Sequence, residues 1–519
     1  MGRLREELLQ YTASDYYPFH MPGHKRNEAL AAEFFPEALA GWYGVDITEI
    51  DGFDNMHHAE GLLKESMQEL AEYYGSDETR YLVNGSSSGV LIAISAAVKQ
   101  GGSLLMMRSS HQSAYHAVEL RGIKASYLYG EWQEEFPYGQ TVSLAGLKDA
   151  LAKNPETEAV FLTSPSYEGY SLQLREIADY LHEKGIPLIV DAAHGAHFGT
   201  DGRLPESAVQ AGADLVIQSL HKTMPAPTMA ALLHCNYGRI KQEKVQRFYN
   251  IYQTSSPSYP MMMAMESCVE LYKKQGKQLW DSFFEMRKKL SEDLKELENI
   301  GVCDFFAGEN HPEPGKLLLY LKNRNDGGKL LEKLLLEKYH LQAEMATPAY
   351  VLLILTPFDT EEGYRRLSAA LREMDGMPEL RCGKIRQEEM SELRCGKIRK
   401  EEMTELCCEE TEGAGKPELY SGNAPKNLPK TLPRKVMEIT KAREENHRLI
   451  RVEEAEGKTA GEYITVYPPG QPLLVPGEVL EKEHIELLLA YGKNGFSLQG
   501  VETDEKGQMR IKITENKNI

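Results

Sequence analysis

The sequence predicts an α/β fold whose core is a doubly wound, mainly parallel β-sheet. Two patterns predict it. Between residues 61 and 265, short runs of valine, leucine and isoleucine alternate with amphipathic helical segments, as expected for strands buried on both faces and joined by crossover helices. Several of the apolar runs also end abruptly in polar residues. Because ligands bind at the carboxyl ends of the strands in such a sheet, we expect a site at that edge.

Composition narrows the possible functions. The 519 residues carry a net charge of −19, which argues against a nucleic-acid or anionic-membrane surface and suits a cationic small molecule. The seven cysteines are an odd number, and the first residues lack the apolar core of a signal peptide. We therefore expect free thiols and a cytoplasmic location. No apolar run approaches the length of a membrane span.

Several structural units are expected because the chain is longer than one hydrophobic core usually organises. Composition changes sharply at residue 376, where a linker is expected to begin. The expected units are an N-terminal arm at 1–60, a large domain at 61–265, a smaller α+β lobe at 266–375, a linker or insertion at 376–435 and a C-terminal α+β module at 436–519.

The N-terminal arm begins with a predicted helix at residues 4–11 and continues into His20-Met-Pro-Gly-His-Lys-Arg26. His20 and His24 are four residues apart, but the proline and glycine between them favour a turn over a helix. A helical zinc pair therefore loses its geometric basis. Two interpretations stay open for this motif: packing of the arm over the large domain, or a role at the entrance of a site.

The elements of the large domain follow from hydrophobic period and from glycine stops. Helices are predicted at Leu62–Tyr74, which Gly75 ends, and at residues 172–184, which Gly185 ends. The predicted strands share an apolar run that polar residues follow. They lie at residues 81–83, Ser103–Met107, Ala159–Thr163, 186–190 and 215–217.

The first strand-to-helix turn has the composition of an anion site. Asn84-Gly-Ser-Ser-Ser88 leads from the first strand into an apolar helix predicted at residues 90–98. Small residues at such a turn let backbone N–H groups converge on a phosphate, which the helix dipole also favours. A serine N-cap is the alternative. Ser86, Ser87 and Ser88 exceed what one cap needs, so phosphate binding is the favoured interpretation.

The last predicted strand leads directly into Gln218, Ser219, His221 and Lys222. A lysine at the carboxyl end of a buried strand can lose its charge by desolvation and act as an amine nucleophile toward a carbonyl. A solvated loop lysine is the alternative. The other strand ends decide between these interpretations.

Asp191 follows the strand at residues 186–190, where an ionised carboxylate needs a cationic or hydrogen-bonding partner. The protonated ring nitrogen of a cofactor would be such a partner, and capping of the next helix is the alternative. His111 is either a hydrogen-bonded loop residue or a ring that lies flat on an aromatic cofactor. His194 and His197 are spaced three apart, but no matching carboxylate or cysteine ligand is evident, so no metal site is predicted.

The C-terminal half predicts a small α+β lobe and then a tandem repeat. Helices are expected at 267–274 and 280–298, and strands at Lys316–Leu321 and 350–355. Residues 379–386 recur as 392–399, and a decayed third copy follows. So short a repeat indicates an insertion in a tolerant linker. The cysteines in it match no strong zinc spacing, and they are Cys382, Cys395, Cys407 and Cys408.

A final module contains a predicted helix at residues 436–447 and the rigid turn Tyr467-Pro-Pro-Gly470. The turn is either structural or part of the access to a site. Together with the strand ends, the chain then offers a phosphate cradle, an anionic partner for a ring nitrogen, a stacking histidine and an imine-forming lysine. Pyridoxal 5′-phosphate requires these four features, and no other common cofactor uses all of them.

The chain resembles the bacterial ornithine/lysine/arginine decarboxylases, in particular the short members without an N-terminal receiver-like domain. The resemblance covers most of the chain in the same order. Its motifs are His20-Met-Pro-Gly-His-Lys25, Asn84-Gly-Ser-Ser-Ser88, Arg108-Ser-Ser-His111, Ser164-Pro-Ser-Tyr-Glu-Gly169, Asp191-Ala-Ala-His194-Gly-Ala-His197, Ser219-Leu-His-Lys222, Thr254-Ser-Ser-Pro-Ser-Tyr259, Tyr467-Pro-Pro-Gly470 and Leu473-Leu-Val-Pro-Gly-Glu478. The resemblance implies the aspartate-aminotransferase-like fold of pyridoxal-phosphate enzymes, with the cofactor in the large domain.

Carried over position by position, the resemblance implies roles for the polar residues. Lys222 would form the internal aldimine with pyridoxal phosphate, and Asp191 would pair with the pyridinium nitrogen. His111 would stack on the ring, and His194 would lie close to it. The phosphate would be held by Ser86, Ser87, Ser88, Ser219 and His221.

Two positions depart from the family pattern. Gln112 stands where a lysine often follows the stacking histidine, and Ala192 stands where short members often have glutamate after the aspartate. Neither departure removes a catalytic atom.

The resemblance also implies a reaction and an assembly. Arginine, lysine or ornithine would lose CO2, the electrons would enter the cofactor ring as a quinonoid, and Lys222 would return a proton to give the amine. A homodimer or larger assembly would share its active sites between subunits. Three alternatives stay open: another pyridoxal-phosphate reaction such as aminotransfer or elimination, a non-catalytic relative that binds the cofactor or a protein, and a metal hydrolase using the histidines.

Overall fold

The computed structural model describes residues 2–14, 22, 42–133, 136–304, 313–322, 327–381, 433–466, 470–493, 495–505 and 507–515. Three features of the sequence lie outside these ranges. They are the histidine motif at residues 20–26 apart from Pro22, the tandem repeat with its four cysteines from residue 382 onward, and residues 467–469 of the proline turn. The boundaries of the expected units stay a prediction.

A seven-stranded sheet forms the centre of the structure, and it is mainly parallel as predicted. The strands up to residue 235 are β1 (Glu78–Leu82), β2 (Ser103–Met107), β3 (Lys124–Leu128), β4 (Glu131–Gln133), β5 (Phe136–Thr141), β6 (Ala159–Thr163), β7 (Leu188–Asp191), β8 (Leu215–Ser219) and β9 (Ala231–Cys235). The spatial order is β1-β9-β8-β7-β6-β2-β3. Neighbours from β8 to β3 are parallel, whereas β9 is antiparallel to β1 and β8. The sequence predicted neither β3 nor β9.

Helices cover both faces of this central sheet, so the doubly wound arrangement is confirmed. The helices up to residue 294 are α1 (Arg3–Ala13), α2 (Leu62–Tyr74), α3 (Gly85–Ala97), α4 (Gln112–Arg121), α5 (Leu144–Lys153), α6 (Leu174–Glu183), α7 (Leu220–Thr223), α8 (Gln242–Tyr252) and α9 (Tyr259–Leu294). Because side chains alternate along a strand, Ile189 and Ile217 join one apolar cluster with α3, whereas Val190 and Val216 join another with α5 and α6.

Helix α3 is the central helix of one face, and it is buried almost all round. It begins at Gly85, so the predicted start at residue 90 was wrong, and the three serines lie in its first turn. Gly85 has φ +76°, a backbone conformation that glycine adopts without strain. Gly89 permits close packing, because a Cβ there would lie 2.5 Å from Leu82 Cδ1 and 3.1 Å from Ile217 Cγ2.

Helix α9 is one continuous helix of 36 residues, although the sequence predicted two shorter helices. Gly276 lies in its interior without interrupting it, because packing against two cores outweighs the intrinsic cost of a glycine of about 1 kcal/mol. Met262 and Trp280 pack into the core of the central sheet, whereas Leu290 packs into the core of the next sheet. In the described ranges no helix is long and apolar enough to cross a membrane.

The next sheet is a four-stranded antiparallel sheet in the order β10-β11-β13-β12. Its strands and its neighbouring helices are β10 (Ile300–Asp304), β11 (Lys316–Leu321), β12 (Met345–Ala346), β13 (Tyr350–Ile354), α10 (Gly328–Glu337), α11 (Glu361–Asp375) and α12 (Pro378–Arg381). The predicted strand Lys316–Leu321 is confirmed residue for residue, and the predicted strand at 350–355 is one residue shorter.

Two three-stranded antiparallel sheets form the C-terminal part, in the orders β14-β19-β18 and β16-β15-β17. Its elements are α13 (Ile439–Glu444), α14 (Lys482–Lys493), β14 (His447–Arg451), β15 (Ile464–Val466), β16 (Gln471–Leu474), β17 (Leu498–Gln499), β18 (Val501–Thr503) and β19 (Met509–Thr514). The predicted helix at 436–447 is shorter than expected, because the chain enters β14 at His447.

Candidate active site

The carboxyl ends of β2, β6, β7 and β8 lie side by side, so the polar strand ends meet at one edge as predicted. Asp191 is paired in register with Thr163 of β6 and with Ile217 of β8. The loop after β2 leads to His111, and the turn after β8 leads to Lys222. Residues more than one hundred positions apart in the chain therefore surround one site.

Asp191 closes β7 and is only 5% exposed. Its Oδ1 accepts a hydrogen bond from the backbone N–H of Ala193 at 3.1 Å, so the carboxylate caps the following turn. Its negative charge raises the pKa values of Lys222 and His111, against the lowering effect of burial. The capping interpretation and the charge-partner interpretation are therefore compatible.

Lys222 lies in the single helical turn α7 and not in an open loop. Its Nζ is 3.1 Å from His194 Nε2. Burial lowers the pKa of Lys222, and the nearby charges of Asp191 and Glu344 raise it in part. Because desolvation penalises the ammonium form, Lys222 yields the neutral amine that a nucleophile needs more readily than an exposed lysine does.

His194 contacts a second lysine that the sequence did not single out. Lys316, the first residue of β11, places its Nζ 3.1 Å from His194 Nδ1. Lys316 is fully buried, and its pKa is lowered to about 8, first by burial and then by the charge of Lys222, while Glu313 raises it. The pKa of His194 lies well below its usual value because of burial and the two lysines.

The serines of α3 divide into two groups. Ser88 is buried, and its Oγ donates to the Gly85 carbonyl at 2.6 Å and accepts from Gln253 Nε2 at 2.7 Å. Ser86 is half-buried and Ser87 is exposed. The first backbone N–H groups of a helix have no partner within the helix, so this end of α3 offers main-chain and hydroxyl donors to an anion.

Ser219, at the end of β8, carries a buried hydroxyl that lacks a hydrogen-bond partner among the described residues. Leaving such a group unsatisfied costs about 1–3 kcal/mol, and a bound anion would supply the missing acceptor. His221, on the same segment, is half-exposed, and its Nδ1 lies 3.0 Å from the Ala230 carbonyl oxygen. Ser219 and His221 therefore fit a phosphate site.

His111 is the N-cap residue of α4. Its Nδ1 accepts from the Ser113 backbone N–H at 3.2 Å and lies 2.9 Å from Ser113 Oγ. These contacts fix the orientation of the ring, and burial lowers its pKa. Of the two departures, Ala192 is buried beside Asp191, and the Gln112 backbone N–H donates to the Gly470 carbonyl at 3.1 Å.

His194 and His197 take different partners despite their spacing of three. His197 Nε2 lies 3.2 Å from Glu313 Oε1, its Nδ1 lies 3.0 Å from Thr223 Oγ1, and its ring stacks on Trp280. In the part of the chain that the structure describes, no group of three or more His, Cys, Asp or Glu residues is arranged to hold a metal ion.

Sequence reasoning missed the residues that β11 to β13 and the neighbouring loops bring to the site. Lys316 begins a strand that is otherwise apolar, and the carboxylates lie in segments without a local motif, so no sequence signal identified them. The missed residues are Lys316, Glu313 and Glu344, and Tyr167 and Glu168 were quoted only as part of a motif.

Comparisons with known proteins agree with this geometry. The family model for the major domain of Orn/Lys/Arg decarboxylases matches residues 3–313, and the model for the C-terminal domain matches residues 423–517. YaaO of Bacillus subtilis (strain 168), described as uncharacterized, is 30% identical, with 98% of this chain and 96% of YaaO covered. Arginine decarboxylase of the same organism is 26% identical, with 99% of this chain and 98% of that protein covered.

Solved structures show the same fold. The lysine decarboxylase LdcF of Francisella novicida superposes with a TM-score of 0.81 at 17% identity, over 99% of this chain and 81% of that chain. The predicted fold, of the type that pyridoxal-phosphate enzymes share, is therefore confirmed. Because the major-domain model spans more than half of the sequence, this chain belongs to the Orn/Lys/Arg decarboxylase family.

Proposed function

We propose that this chain decarboxylates a basic amino acid with pyridoxal 5′-phosphate as its cofactor. One observation carries the proposal: a desolvated amine, Lys222, lies at the strand edge where the buried carboxylate of Asp191 ends the neighbouring strand. A nucleophilic amine and a fixed negative charge at one site match the two ends of this cofactor's reactive ring. Membership of the decarboxylase family supports the reaction type.

The residues present fit the cofactor. The N-terminus of α3 with Ser86 and Ser87 would hold the phosphate, together with the Ser219 hydroxyl, which has no partner among the residues that the structure describes. Ser88 would support this turn without donating to the phosphate, because its hydroxyl already bonds Gly85 and Gln253 and its backbone N–H is used within α3. His221 would border the phosphate from the outer side.

When bound, pyridoxal phosphate supplies a carbonyl that condenses with amines and a protonated ring that takes up the electrons left when CO2 departs. The protein provides the rest. The charge of Asp191 would keep a proton on the ring nitrogen, and the His111 ring, which Ser113 holds in place, would pack against the cofactor. Lys222 would bind the carbonyl of the cofactor, and once released and protonated its ammonium group would be placed to donate a proton to the substrate carbon. Burial of Asp191 and His194 keeps water from these groups.

Arginine is the first substrate to test. In sequence, relatives named arginine decarboxylase align with 91–99% of this chain, whereas relatives named lysine decarboxylase align with 58–59%. The net charge of −19 suits any of the three cationic amino acids. A cytoplasmic homodimer stays a prediction, and sedimentation velocity of the purified protein would measure its assembly.

The test is spectroscopic and chemical. The purified protein incubated with pyridoxal phosphate is expected to absorb near roughly 420 nm and to release labelled CO2 from arginine, lysine or ornithine. Lys222→Ala should lose both signals, whereas the exposed Lys338→Met should keep them. A keto-acid product would identify an aminotransferase instead. A band without turnover would indicate a cofactor-binding relative, and no band would overturn the cofactor assignment.

A further inference from the structure

The imidazole of His194 bridges two lysine amines from different parts of the fold. Its Nε2 lies 3.1 Å from Lys222 Nζ and its Nδ1 lies 3.1 Å from Lys316 Nζ. Lys222 lies in α7, which follows β8 of the central sheet, whereas Lys316 begins β11 of the four-stranded sheet. The three nitrogen-bearing groups therefore form a continuous hydrogen-bonded row.

The hydrogen-bonding capacity of imidazole limits the charge of this row. A neutral ring has one N–H donor and one lone pair, and a protonated ring has two donors and no acceptor. Two ammonium groups, which only donate, cannot both be satisfied by one neutral ring. One of Lys222 and Lys316 must therefore be a neutral amine that accepts from the N–H of His194, while the other donates to the remaining ring nitrogen.

Charged and titratable groups from several elements surround the row. Lys316 is fully buried, and the ring centroid of Tyr167 lies 5.5 Å from its Nζ and 4.6 Å from the His194 ring centroid. Nearby carboxylates raise the pKa values of both lysines, and His111 and His221 lower the pKa of His194 in addition to the two lysines. The charged or titratable groups that face the row are Asp191, Glu168, Glu313, Glu344, His111 and His221.

We propose that Lys316 is a positioning residue that accepts, through His194, the proton that Lys222 must lose to act as a nucleophile. An N–H bond of Lys222 breaks as His194 Nε2 takes the proton, and the Nδ1 proton passes to the lone pair of Lys316. The ring changes tautomer, Lys222 becomes neutral, Lys316 becomes ammonium, and net charge is unchanged. The role rests on the proposed function, because it serves the nucleophile named there.

Burial lowers the pKa values of both lysines, so the row holds its proton less tightly than an exposed lysine does. The pKa of Lys316, lowered to about 8, makes it a proton acceptor and donor near neutral pH. Burial and the charges of the two lysines lower the pKa of His194, which favours the neutral ring that this relay needs. A cationic ring nitrogen bound at Asp191 would weaken the attraction between this carboxylate and the ammonium form of Lys222. The proton would then shift toward Lys316.

The experiment measures the neutral fraction of Lys222 directly. The full-length protein without added cofactor is trace-labelled with acetic anhydride between pH 6 and 10, and acetylation of Lys222 is measured by peptide mass spectrometry relative to exposed lysines. At pH 7, Lys316→Met should lower the labelling of Lys222 by about tenfold or more, which corresponds to one pKa unit. Lys316→Arg should keep it at or above the wild-type level, because a permanent guanidinium donates to Nδ1 and leaves Lys222 neutral.

Controls separate this role from a purely structural one. Lys338→Met removes an exposed lysine that pairs with Glu373 and should leave the labelling of Lys222 unchanged. Lys316→Gln provides a second neutral side chain if the methionine variant does not fold. If neither folds, Lys316→Arg decides: the labelling of Lys222 should depend less on pH than in the wild type, and an unchanged curve contradicts the proposal.

The proton-sharing role would be overturned if the acetylation of Lys222 followed the same pH curve in the wild type, in Lys316→Met and in Lys316→Gln. It would also be overturned if Lys222 were as unreactive in Lys316→Arg as in Lys316→Met. The outcome does not depend on cofactor or turnover. If the wild type releases no CO2 but the Lys316 variants shift the labelling curve of Lys222, the proposed reaction is rejected and the proton-sharing role stands. If the wild type releases CO2 but the variants leave the curve unchanged, the reaction stands and the proton-sharing role is rejected.

Discussion

Arg108 and Glu478 form a buried, two-pronged ion pair between residues 370 positions apart. Arg108 Nε donates to Glu478 Oε1 at 3.1 Å, and its terminal nitrogen donates to Oε2 at 2.9 Å. The guanidinium also donates to the carbonyls of Pro472 and Leu473. Glu478 raises the pKa of Arg108, against the effect of burial. The pair thus anchors the C-terminal part to the strand end that leads to His111.

Glu478→Gln should destabilise the protein strongly. Removing one partner of a buried pair leaves an uncompensated charge and typically costs about 3–5 kcal/mol. Urea unfolding would measure the change. Glu454→Gln, which removes an exposed partner of Arg451, should have no measurable effect, and equal stability of both variants would contradict the anchoring role.

Asp191→Asn should retain cofactor absorbance but lower the decarboxylation rate by about a hundredfold or more. The amide keeps the size of the side chain and can still accept from Ala193, but it lacks the charge that holds a proton on the ring nitrogen. Asp281→Asn, at an exposed pair with Lys277, is the matched control. A variant with an unchanged kcat would rule out Asp191 as the charge partner.

Glu344→Gln should shift the titration of Lys222 to lower pH. The charge of Glu344 raises the pKa of Lys222, so its removal lowers that pKa and increases the neutral amine at a given pH. Glutamine still accepts from Tyr167, whose hydroxyl contacts Glu344. Acetic anhydride labelling would give the direction. Glu337→Gln on α10 should cause no shift, and a shift to higher pH in Glu344→Gln would contradict the expectation.

Acid should destabilise the fold through His234. This residue is buried between Thr79 and Gln218, and burial lowers its pKa to about 3. The unfolded chain binds a proton near pH 6.5, whereas the folded protein does not. The contribution of His234 to the free energy of unfolding is therefore fully present above about pH 6.5, and it decreases by up to about 1.4 kcal/mol per pH unit below that value.

Unfolding free energies at pH 7.5 and 5.5 would measure this contribution. His234→Gln should lose less stability than the wild type between the two values, because the variant has no proton to bind at this position. His58→Gln, at an exposed residue, should follow the wild type. An identical loss in His234→Gln and wild type would refute the assignment.

Local pattern predicted most of the central sheet and its polar edge. The strands Ser103–Met107 and Ala159–Thr163 and the helix Leu62–Tyr74 have their predicted bounds. Errors arose where packing competes with local preference. The long helix α9 continues through Gly276 because two cores bury its sides. Helix α3 begins earlier than predicted, at Gly85, whose φ of +76° turns the chain from β1 directly into the helix.

The sequence alone determined which residues stand at the carboxyl ends of the strands, and therefore that Asp191, His111, Ser219 and Lys222 belong to one edge. This information is local, since a strand is followed by its own loop. Only the tertiary structure decided what these residues contact. Lys316 meets His194 across 122 positions and Glu478 meets Arg108 across 370. No sequence periodicity links such distant residues. They meet in the folded protein because a buried charge or amine without a partner would cost free energy.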